Sequence, residues 1–288
     1  MNHDSFLVPP RKKFRLQDSD PANTGKFKEK EDAASKLADD ITAMADLQDV
    51  LYAQREYSLL LIFQAMDAAG KDSAIKHVMS GINPQGCRVV SFKAPSPDEL
   101  DHDYLWRCVR ELPERGKIGI FNRSYYEEVL VVRVHPEILK GQRIPADAMP
   151  KDVWAARYRQ INNFEQYLTE NGVVVLKFFL HVSKKEQKKR FLERIETPEK
   201  TWKFSAADVK ERGHWDEYMK AYEEMLRHTS TAAAPWYVIP ADRKWFTRTA
   251  VADIIVGRMR SLKLRYPAPA ANHTSGLREA KAFLENEK

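Results

Sequence analysis

Short apolar runs alternate with amphipathic stretches along most of this chain. The run YSLLLIFQ at 57–64 is unbroken and apolar, which is typical of a strand buried on both faces of a sheet. Four further strand candidates follow it, namely CRVVSFK, KIGIFN, GVVVLKFFL and WYVIPA. Helical periodicity predicts helices at 31–54, 72–83, 98–113, 124–131, 151–170, 183–195, 213–228 and 244–262. Strands that alternate with helices predict a three-layer α/β sandwich, in which helices cover both faces of a parallel sheet.

The same pattern divides the chain into three parts. Residues 1–30 are polar and basic, and they predict an extended arm that packs on the domain or on a partner subunit. Residues 31–265 show neither an internal repeat nor a linker, so we expect a single domain of a size that can bury a large core. Residues 266–288 begin as a loop and predict a tail or a short helix.

Composition adds an anionic partner to this picture. The formal net charge is +6 and the sequence pI is about 9.1, which favours nucleic acid, a nucleotide, a phosphate polymer or an anionic membrane. An ordinary basic surface explains the charge equally well. Cys87 and Cys108 are too few for a disulfide scaffold or a metal cage and fit a reducing cytosol, so we expect a cytoplasmic protein. Neither a membrane span nor a signal peptide is evident in the sequence.

The segment from Phe63 to Val78 predicts a phosphate-binding loop. It departs from the P-loop pattern G-x-x-x-x-G-K-[ST] in two places, since Ala65 replaces the first glycine and Asp72 replaces the hydroxyl residue. The segment nevertheless joins a predicted strand to a predicted helix, as a P-loop must, which makes a chance Gly-Lys pair the weaker explanation. Such a loop directs backbone amides and a helix N-terminus at an anion. The predicted phosphate contacts are Ala69, Gly70, Lys71, Asp72 and Ser73.

Two carboxylates distinguish this loop from nucleotide triphosphatases. Asp67 and Asp72 would repel phosphate oxygens unless a cation lay between them. They therefore predict Mg²⁺, which prefers one or two carboxylates together with phosphate oxygens and water. Capping of the following helix is the structural alternative for Asp72. The cost of Ala65 depends on whether its position requires a positive φ.

A second group of polar residues follows the predicted strand KIGIFN. Arg123 could bind phosphate through two donors, and Asn122 could orient water or phosphate. Glu127 lies one helical turn beyond Arg123 and could reach the same cleft, where it would position a metal ion. The alternative is that Arg123 and Glu127 form a surface ion pair of the i,i+4 type.

Both groups occur within longer stretches that resemble the polyphosphate kinase 2 family. These stretches are MDAAGKDSAIKHVMSGINPQGCRVVSFKAPSPDELDHDYLWR and GIFNRSYYEEVLVVRVH, and the likeness extends from about Lys26 to Met259. The resemblance implies a P-loop kinase-like fold similar to that of thymidylate kinases, with a helical lid. It also implies phosphoryl transfer between inorganic polyphosphate and nucleotides, with Mg²⁺ as cofactor. The Asn-Arg-Ser-x-Tyr-Glu order at 122–127 is similar to the subgroup, class III, that accepts both AMP and ADP.

The resemblance also implies partners and one further contact. The expected partners are inorganic polyphosphate and the nucleotides AMP, ADP and ATP, with GDP and GTP as further candidates, and no nucleic acid or membrane. Homodimers or homotetramers are expected. Arg133 in VVRVH is, on the same basis, a phosphate or acceptor contact.

A basic stretch at about 183–212 predicts the lid. Arg190 and Arg194 are four residues apart and share a helix face, and Lys203 follows on a turn. A solvated basic helix is the usual explanation for such a charge run. Beside a phosphate loop and the family resemblance, we instead predict a mobile lid that places Arg190, Arg194 and Lys203 over the phosphates.

The prediction as a whole is a Mg²⁺-dependent phosphotransferase that works by positioning and charge neutralisation. Its predicted catalytic residues are Asp67, Lys71, Asn122, Arg123 and Glu127, and its predicted metal ligands are Asp67, Asp72 and Glu127. The nearest alternative is an ATP-dependent nucleoside monophosphate kinase of the same fold. A non-catalytic polyanion-binding or RNA-binding protein is a more distant alternative, because the sequence lacks an RNP1-type aromatic motif.

Overall fold

A five-stranded parallel sheet forms the centre of the computed structural model, which describes residues 1–10, 13–202, 204–268 and 271–287, with the side chains of 271–275 left aside. The strands lie in the order β2-β3-β1-β4-β5. Their bounds are β1 Ser58–Gln64, β2 Cys87–Ser91, β3 Ile118–Asn122, β4 Val173–His181 and β5 Trp236–Pro240. All five predicted strands are therefore confirmed.

Thirteen α-helices surround the sheet in the described part of the chain. The first seven are α1 Lys30–Gln54, α2 Lys71–Val78, α3 Pro97–Leu100, α4 Trp106–Val109, α5 Val131–Val134, α6 Glu137–Gly141 and α7 Val153–Glu170. The other six are α8 Lys184–Glu196, α9 Pro198–Thr201, α10 Ala206–Glu211, α11 Trp215–Thr229, α12 Lys244–Ser261 and α13 Ala271–Glu285. Helices α1, α2 and α12 pack together, and α7 packs against both β4 and α11, which confirms the predicted α/β class.

The central strand β1 anchors the start of the predicted phosphate loop in the sheet. Every residue of β1 is buried, and Leu61 pairs with Ile120 of β3 on one side and Leu176 of β4 on the other. Full burial of such a side chain contributes about 1.5–3 kcal/mol. Because the strands are parallel, the carboxyl ends of β1, β2 and β3 meet at one edge of the sheet, where ligands bind in this class of fold.

The N-terminal arm lies along the outer edge of the sheet. Leu7 forms an antiparallel bridge with Tyr237 of β5, and the Val8 amide donates to the Trp236 carbonyl at 2.9 Å. Phe6 and Val8 are buried in the common core. Pairing of this kind covers an edge strand that would otherwise expose unpaired backbone groups.

The predicted helix at 98–113 is wrong in extent. The segment 98–113 contains two short helices, α3 and α4, rather than a single long one. Between them the Asp103 carboxylate accepts a hydrogen bond from the Leu105 amide, and the His102 ring stacks on Trp106. An aspartate that binds the backbone two residues on favours a turn over a continuous helix.

The lid region and the C-terminal region are both helical. The predicted lid comprises α8, α9 and α10, and Pro198 lies at the start of α9, where a proline is tolerated. The C-terminal region contains α13, whose Leu277, Phe283 and Leu284 are exposed. Among the helices of the described ranges, none is both long and apolar enough to span a membrane.

Candidate active site

The predicted phosphate loop does not need a glycine at its first position. Left-handed backbone occurs at Ala68 (φ 59°) and Gly70 (φ 108°), whereas Ala65 is not among the described residues with positive φ. Alanine is therefore acceptable at position 65. In α2 the first intrahelical bond runs from the Ala74 amide to the Gly70 carbonyl, at 2.9 Å. The amides that precede Ala74 are left for an anion at this helix N-terminus.

Lys71 begins α2 and is buried in the loop. Its ammonium group donates to the Ala65 carbonyl at 2.8 Å. Burial, with the nearby positive charge of Arg123 as the next cause, lowers the pKa of Lys71 to about 8. The site therefore holds a lysine whose charge a bound phosphate would stabilise.

Arg123 is the centre of an ion-pair network at the end of β3. Its guanidinium donates to the Asp67 carboxylate at 2.6 Å and to the Glu127 carboxylate at 3.0 Å. The negative charge of Glu127 is the main cause of the raised pKa of Arg123. The Arg123 amide, at φ 66°, donates to the Phe63 carbonyl of β1 at 3.0 Å. Strand pairing thus positions a permanent cation beside the loop.

Asn122, the last residue of β3, contacts the start of α2 directly. Its side-chain amide donates to one carboxylate oxygen of Asp72 at 2.6 Å. A neutral amide here leaves the charge of Asp72 uncompensated, which suits a cation that arrives with the phosphates. The carboxylates of Asp67 and Asp72 each have one oxygen bonded to the protein.

Glu127 fits a metal ion less well than the two aspartates do. One of its carboxylate oxygens accepts from Arg123 and the other accepts from the Gln64 amide at 3.0 Å. Within the described residues, no group of three or more His, Cys, Asp or Glu side chains is arranged to hold a metal ion by itself. A metal at this edge would therefore need phosphate oxygens to complete its coordination.

A cavity of about 460 Å³ lies in front of the loop and is called the phosphate cavity below. It is lined by eight of the predicted site residues, Asp67, Gly70, Lys71, Asp72, Ser73, Asn122, Arg123 and Arg194. The lining also includes five residues that were not predicted as contacts, Ser91, Phe92, Lys93, Trp202 and Asp208. Ser91 is the last residue of β2, and Phe92 and Lys93 follow it, so the rule that ligands bind at strand carboxyl ends could have identified all three.

Asp208 is the least expected member of this lining. It lies on α10, and burial raises its pKa, with the negative charge of Asp67 as the next cause. The Arg194 guanidinium is 3.8 Å from its carboxylate. Because the segment 183–212 is mostly basic, the sequence did not single out Asp208 as a residue that lines the cavity.

A second cavity of about 670 Å³ adjoins the first. Both cavities are lined by Phe92, Lys93 and Arg123. The larger one has an apolar lining that includes Leu100, Val131, Val132 and Ile138, and it also contains Arg107. A mostly apolar cavity with a few placed cations suits a nucleoside with its phosphates.

The remaining predicted contacts lie elsewhere. Arg133 forms an ion pair with Glu224 and donates to the Tyr158 hydroxyl at 2.5 Å, in a separate pocket that shares no lining residue with the phosphate cavity. Ala69 is turned inward, since its amide donates to the Met66 carbonyl at 3.2 Å. Lys203 lies outside the described residues.

Two further arginines donate hydrogen bonds to the loop and to the first turn of α2. Arg190 donates to the carbonyls of Ala68 and Ala69, at 3.1 and 2.7 Å, and is almost fully buried. Arg248 of α12 donates to the Ser73 hydroxyl at 2.8 Å. Periodicity placed Arg190 on the lid, but its position against the loop carbonyls depends on tertiary packing.

Comparison with known proteins gives a consistent result. The family model for polyphosphate kinase 2 matches residues 26–266. The chain belongs to the polyphosphate kinase 2 family. Its relatives include the ADP-polyphosphate phosphotransferase of Rhodopseudomonas palustris, 54% identical over 89% of this chain and 92% of the relative. They also include the AMP/ADP-polyphosphate phosphotransferase of Meiothermus ruber, 44% identical over 92% of this chain and 95% of the relative.

The crystal structure of polyphosphate kinase 2 from Arthrobacter aurescens TC1 shows the same fold. It superimposes with a TM-score of 0.82 at 39% identity, over 92% of this chain and 93% of that chain. These comparisons confirm the predicted family, fold class and enzyme class, a polyphosphate:nucleotide phosphotransferase. Phosphotransferases of this kind are generally metal-dependent. The roles of individual site residues stay predictions.

Proposed function

We propose that this polyphosphate kinase 2 moves phosphoryl groups reversibly between inorganic polyphosphate and the nucleotides AMP and ADP. The observation that carries the proposal is that Arg123 lines both the phosphate cavity and the larger cavity beside it. A phosphoryl group that passes from a polymer in one cavity to a nucleotide in the other would pass this guanidinium. The charge that develops during transfer would then meet a fixed cation.

The phosphate loop would bind the reacting end of polyphosphate. Lys71 and the first amides of α2 would neutralise its oxygens, and Arg194 would contribute from the lid. Most of the rate enhancement would come from holding donor and acceptor in line, because phosphoryl transfer requires no nucleophilic side chain.

The larger cavity would receive the nucleotide. Its apolar lining suits a base and ribose, and Lys93 and Arg107 supply positive charge near the junction. Lys93 lines both cavities, so the additional phosphate of ADP would meet a second cation beside Arg123. This arrangement supports acceptors with one or two phosphates, as do the names of the two relatives.

We further propose Mg²⁺ as the metal, held by Asp67 and Asp72. Each carboxylate has one oxygen bonded to the protein, and their charges in a phosphate cavity need a cation between them and the substrate. When bound, Mg²⁺ supplies charge neutralisation at the phosphate oxygens. Glu127, with both oxygens engaged, would orient Arg123.

For its state in the cell, we propose a cytoplasmic homodimer or homotetramer. Cys87 and Cys108 are both unpaired, as expected of a reduced compartment. Light scattering of the purified chain during size-exclusion chromatography would test the assembly, and a monomeric mass would contradict it.

An assay with a single donor tests the proposed reaction. Purified protein with Mg²⁺ should convert ADP to ATP, and AMP to ADP and ATP, with polyphosphate as the sole donor. Lys71→Ala should lose turnover by orders of magnitude while it retains its circular dichroism spectrum. No turnover with polyphosphate on either acceptor would overturn the proposal, and turnover on ADP alone would restrict it to diphosphates.

A further inference from the structure

Arg190 is the lid residue whose surroundings differ most from the sequence-based expectation. A guanidinium carries five N–H donors, and every Arg190 nitrogen has an acceptor in the protein. Nε donates to the Glu186 carboxylate at 2.9 Å. Nη1 donates to the carbonyls of Ala68 and Ala69, at 3.1 and 2.7 Å. Nη2 donates to the carbonyls of Ala241 and Asp242, at 2.6 and 3.2 Å.

These contacts leave Arg190 without a donor for a phosphate. Its side chain is only 4% exposed, and it is absent from the lining of the phosphate cavity. A phosphate that bound Arg190 would have to displace a buried carbonyl from its hydrogen bond, which is costly. Arg194, one turn further along α8, does line the cavity.

The contacts also explain how the loop directs its amides. In a trans peptide the C=O and the following N–H point in opposite directions, and no cis peptide occurs in the described chain. The Ala69 carbonyl faces Arg190, so the Gly70 amide points away from Arg190, and Gly70 lines the phosphate cavity. Arg190 therefore fixes the direction of an amide that faces the phosphates.

The same guanidinium holds a strained residue. Ala68 has a left-handed backbone with φ 59°, which non-glycine residues adopt only when the surrounding structure stabilises it. The hydrogen bond from Arg190 to the Ala68 carbonyl provides such support. Gln187, also on α8, donates to the Asp67 carbonyl at 3.0 Å, so helix α8 holds the loop at consecutive residues.

We propose that Arg190 is a positioning residue, which clamps the phosphate loop to the corner after β5 and so sets the direction of the Gly70 amide. It does not bind polyphosphate. The first half of α8 is, on this basis, a fixed support of the loop, and the lid cations that meet substrate begin at Arg194. This inference rests on the proposed function, because its main readout is turnover with polyphosphate.

A comparison of two lid arginines tests the proposal. Lysine cannot reproduce a planar fork that reaches two pairs of carbonyls, so Arg190→Lys should lower kcat by roughly 100-fold through misplacement of the loop. The KM for polyphosphate should change little. Arg194→Ala is the matched control and should instead raise the KM for polyphosphate.

The salt dependence of binding separates positioning from phosphate contact. Each lost phosphate contact should reduce the slope of log Kd against log salt by about 0.7, measured by equilibrium binding of polyphosphate of defined length. We expect this reduction for Arg194→Ala and an unchanged slope for Arg190→Lys. An equal reduction in Arg190→Lys, or an unchanged kcat, would overturn the proposal.

Two additional measurements guard against misfolding of Arg190→Lys. Gln187→Ala removes the neighbouring contact of α8 with the loop and should lower kcat several-fold with an unchanged salt slope; an unchanged kcat there would also overturn the clamp. Millimolar guanidinium should restore part of the kcat of Arg190→Ala. Wild-type turnover measured in parallel shows separately whether the proposed function itself has failed.

Discussion

The Lys71 ammonium group donates a hydrogen bond to the carbonyl oxygen of Ala65, the residue that replaces the first glycine of the phosphate loop, at 2.8 Å. The loop thus uses the backbone of Ala65 and makes no demand on a positive φ there. The position that does require left-handed backbone is Ala68. The departure at position 65 is therefore a tolerated substitution in an intact phosphate loop.

Two glycine substitutions should act in opposite directions. Ala65→Gly should lower the free energy of unfolding by about 0.5–1 kcal/mol, because it increases the entropy of the unfolded chain and removes a buried methyl group. Ala68→Gly should raise it by about 1 kcal/mol, because glycine relieves the left-handed strain. Urea unfolding of both variants measures the difference, and the same sign for both would contradict the assigned backbone.

Activity should fall as the pH rises through about 8. The pKa of Lys71 in the free enzyme is lowered to about 8 by burial, so the amine is charged below this pH and loses its charge above it. The pH profile of kcat/KM for polyphosphate reports the free enzyme and should show this limb. Lys71→Arg keeps its charge, so its residual activity should lack the limb; an identical limb would assign it to another group.

Asn122→Asp should make the thermal stability of the protein depend on a divalent cation. The new carboxylate would lie against Asp72, whose oxygen is now 2.6 Å from the Asn122 amide. Loss of this exposed hydrogen bond, together with like-charge repulsion, should lower the Tm without metal. Thermal melts should show that Mg²⁺ restores more of the lost Tm in this variant than in Asn122→Ala, and an equal recovery would contradict the prediction.

Arg123→Ala and Arg133→Ala should distinguish the predicted catalytic arginine from the arginine that the family resemblance implied as a phosphate or acceptor contact. Arg123 lines both cavities, so its loss should reduce kcat by at least about 100-fold. Arg133 pairs with Glu224 in another pocket, so Arg133→Ala should lower stability while turnover remains within a few-fold of wild type. Steady-state kinetics of both variants measures the difference. A comparable loss of kcat in Arg133→Ala would show that Arg133 acts in the active site.

Glu165→Gln should destabilise the core strongly. The Lys177 ammonium group is fully buried, 2.5 Å from the Glu165 carboxylate, and burial lowers its pKa. Without Glu165 its charge is left unpaired, which should cost about 3–5 kcal/mol in urea unfolding. Glu285→Gln, in an exposed pair with Lys281, is the control and should change stability little. Similar small losses in both would show that Lys177 is accommodated without its partner.

The amino-acid sequence was sufficient to predict the sheet and the phosphate loop. Its unbroken apolar runs predict strands buried on both faces. A loop that joins such a strand to a helix must lie at the carboxyl end of the strand. The carboxyl ends of parallel strands lie at the same edge of a sheet, so the end of β3 could be predicted to lie near the loop. This placed Asn122 and Arg123 near Asp67 and Asp72 from the sequence.

Tertiary packing determines which charged side chains of the lid face the cavity. Arg190 and Arg194 share a face of α8 and are indistinguishable by periodicity, yet the first is enclosed by carbonyls from two distant segments and the second lines the cavity. Asp208 lines the cavity because the fold brings α10 to it. Periodicity determines the buried face of a helix, but the partner of a long polar side chain depends on which distant backbone groups the fold brings to it.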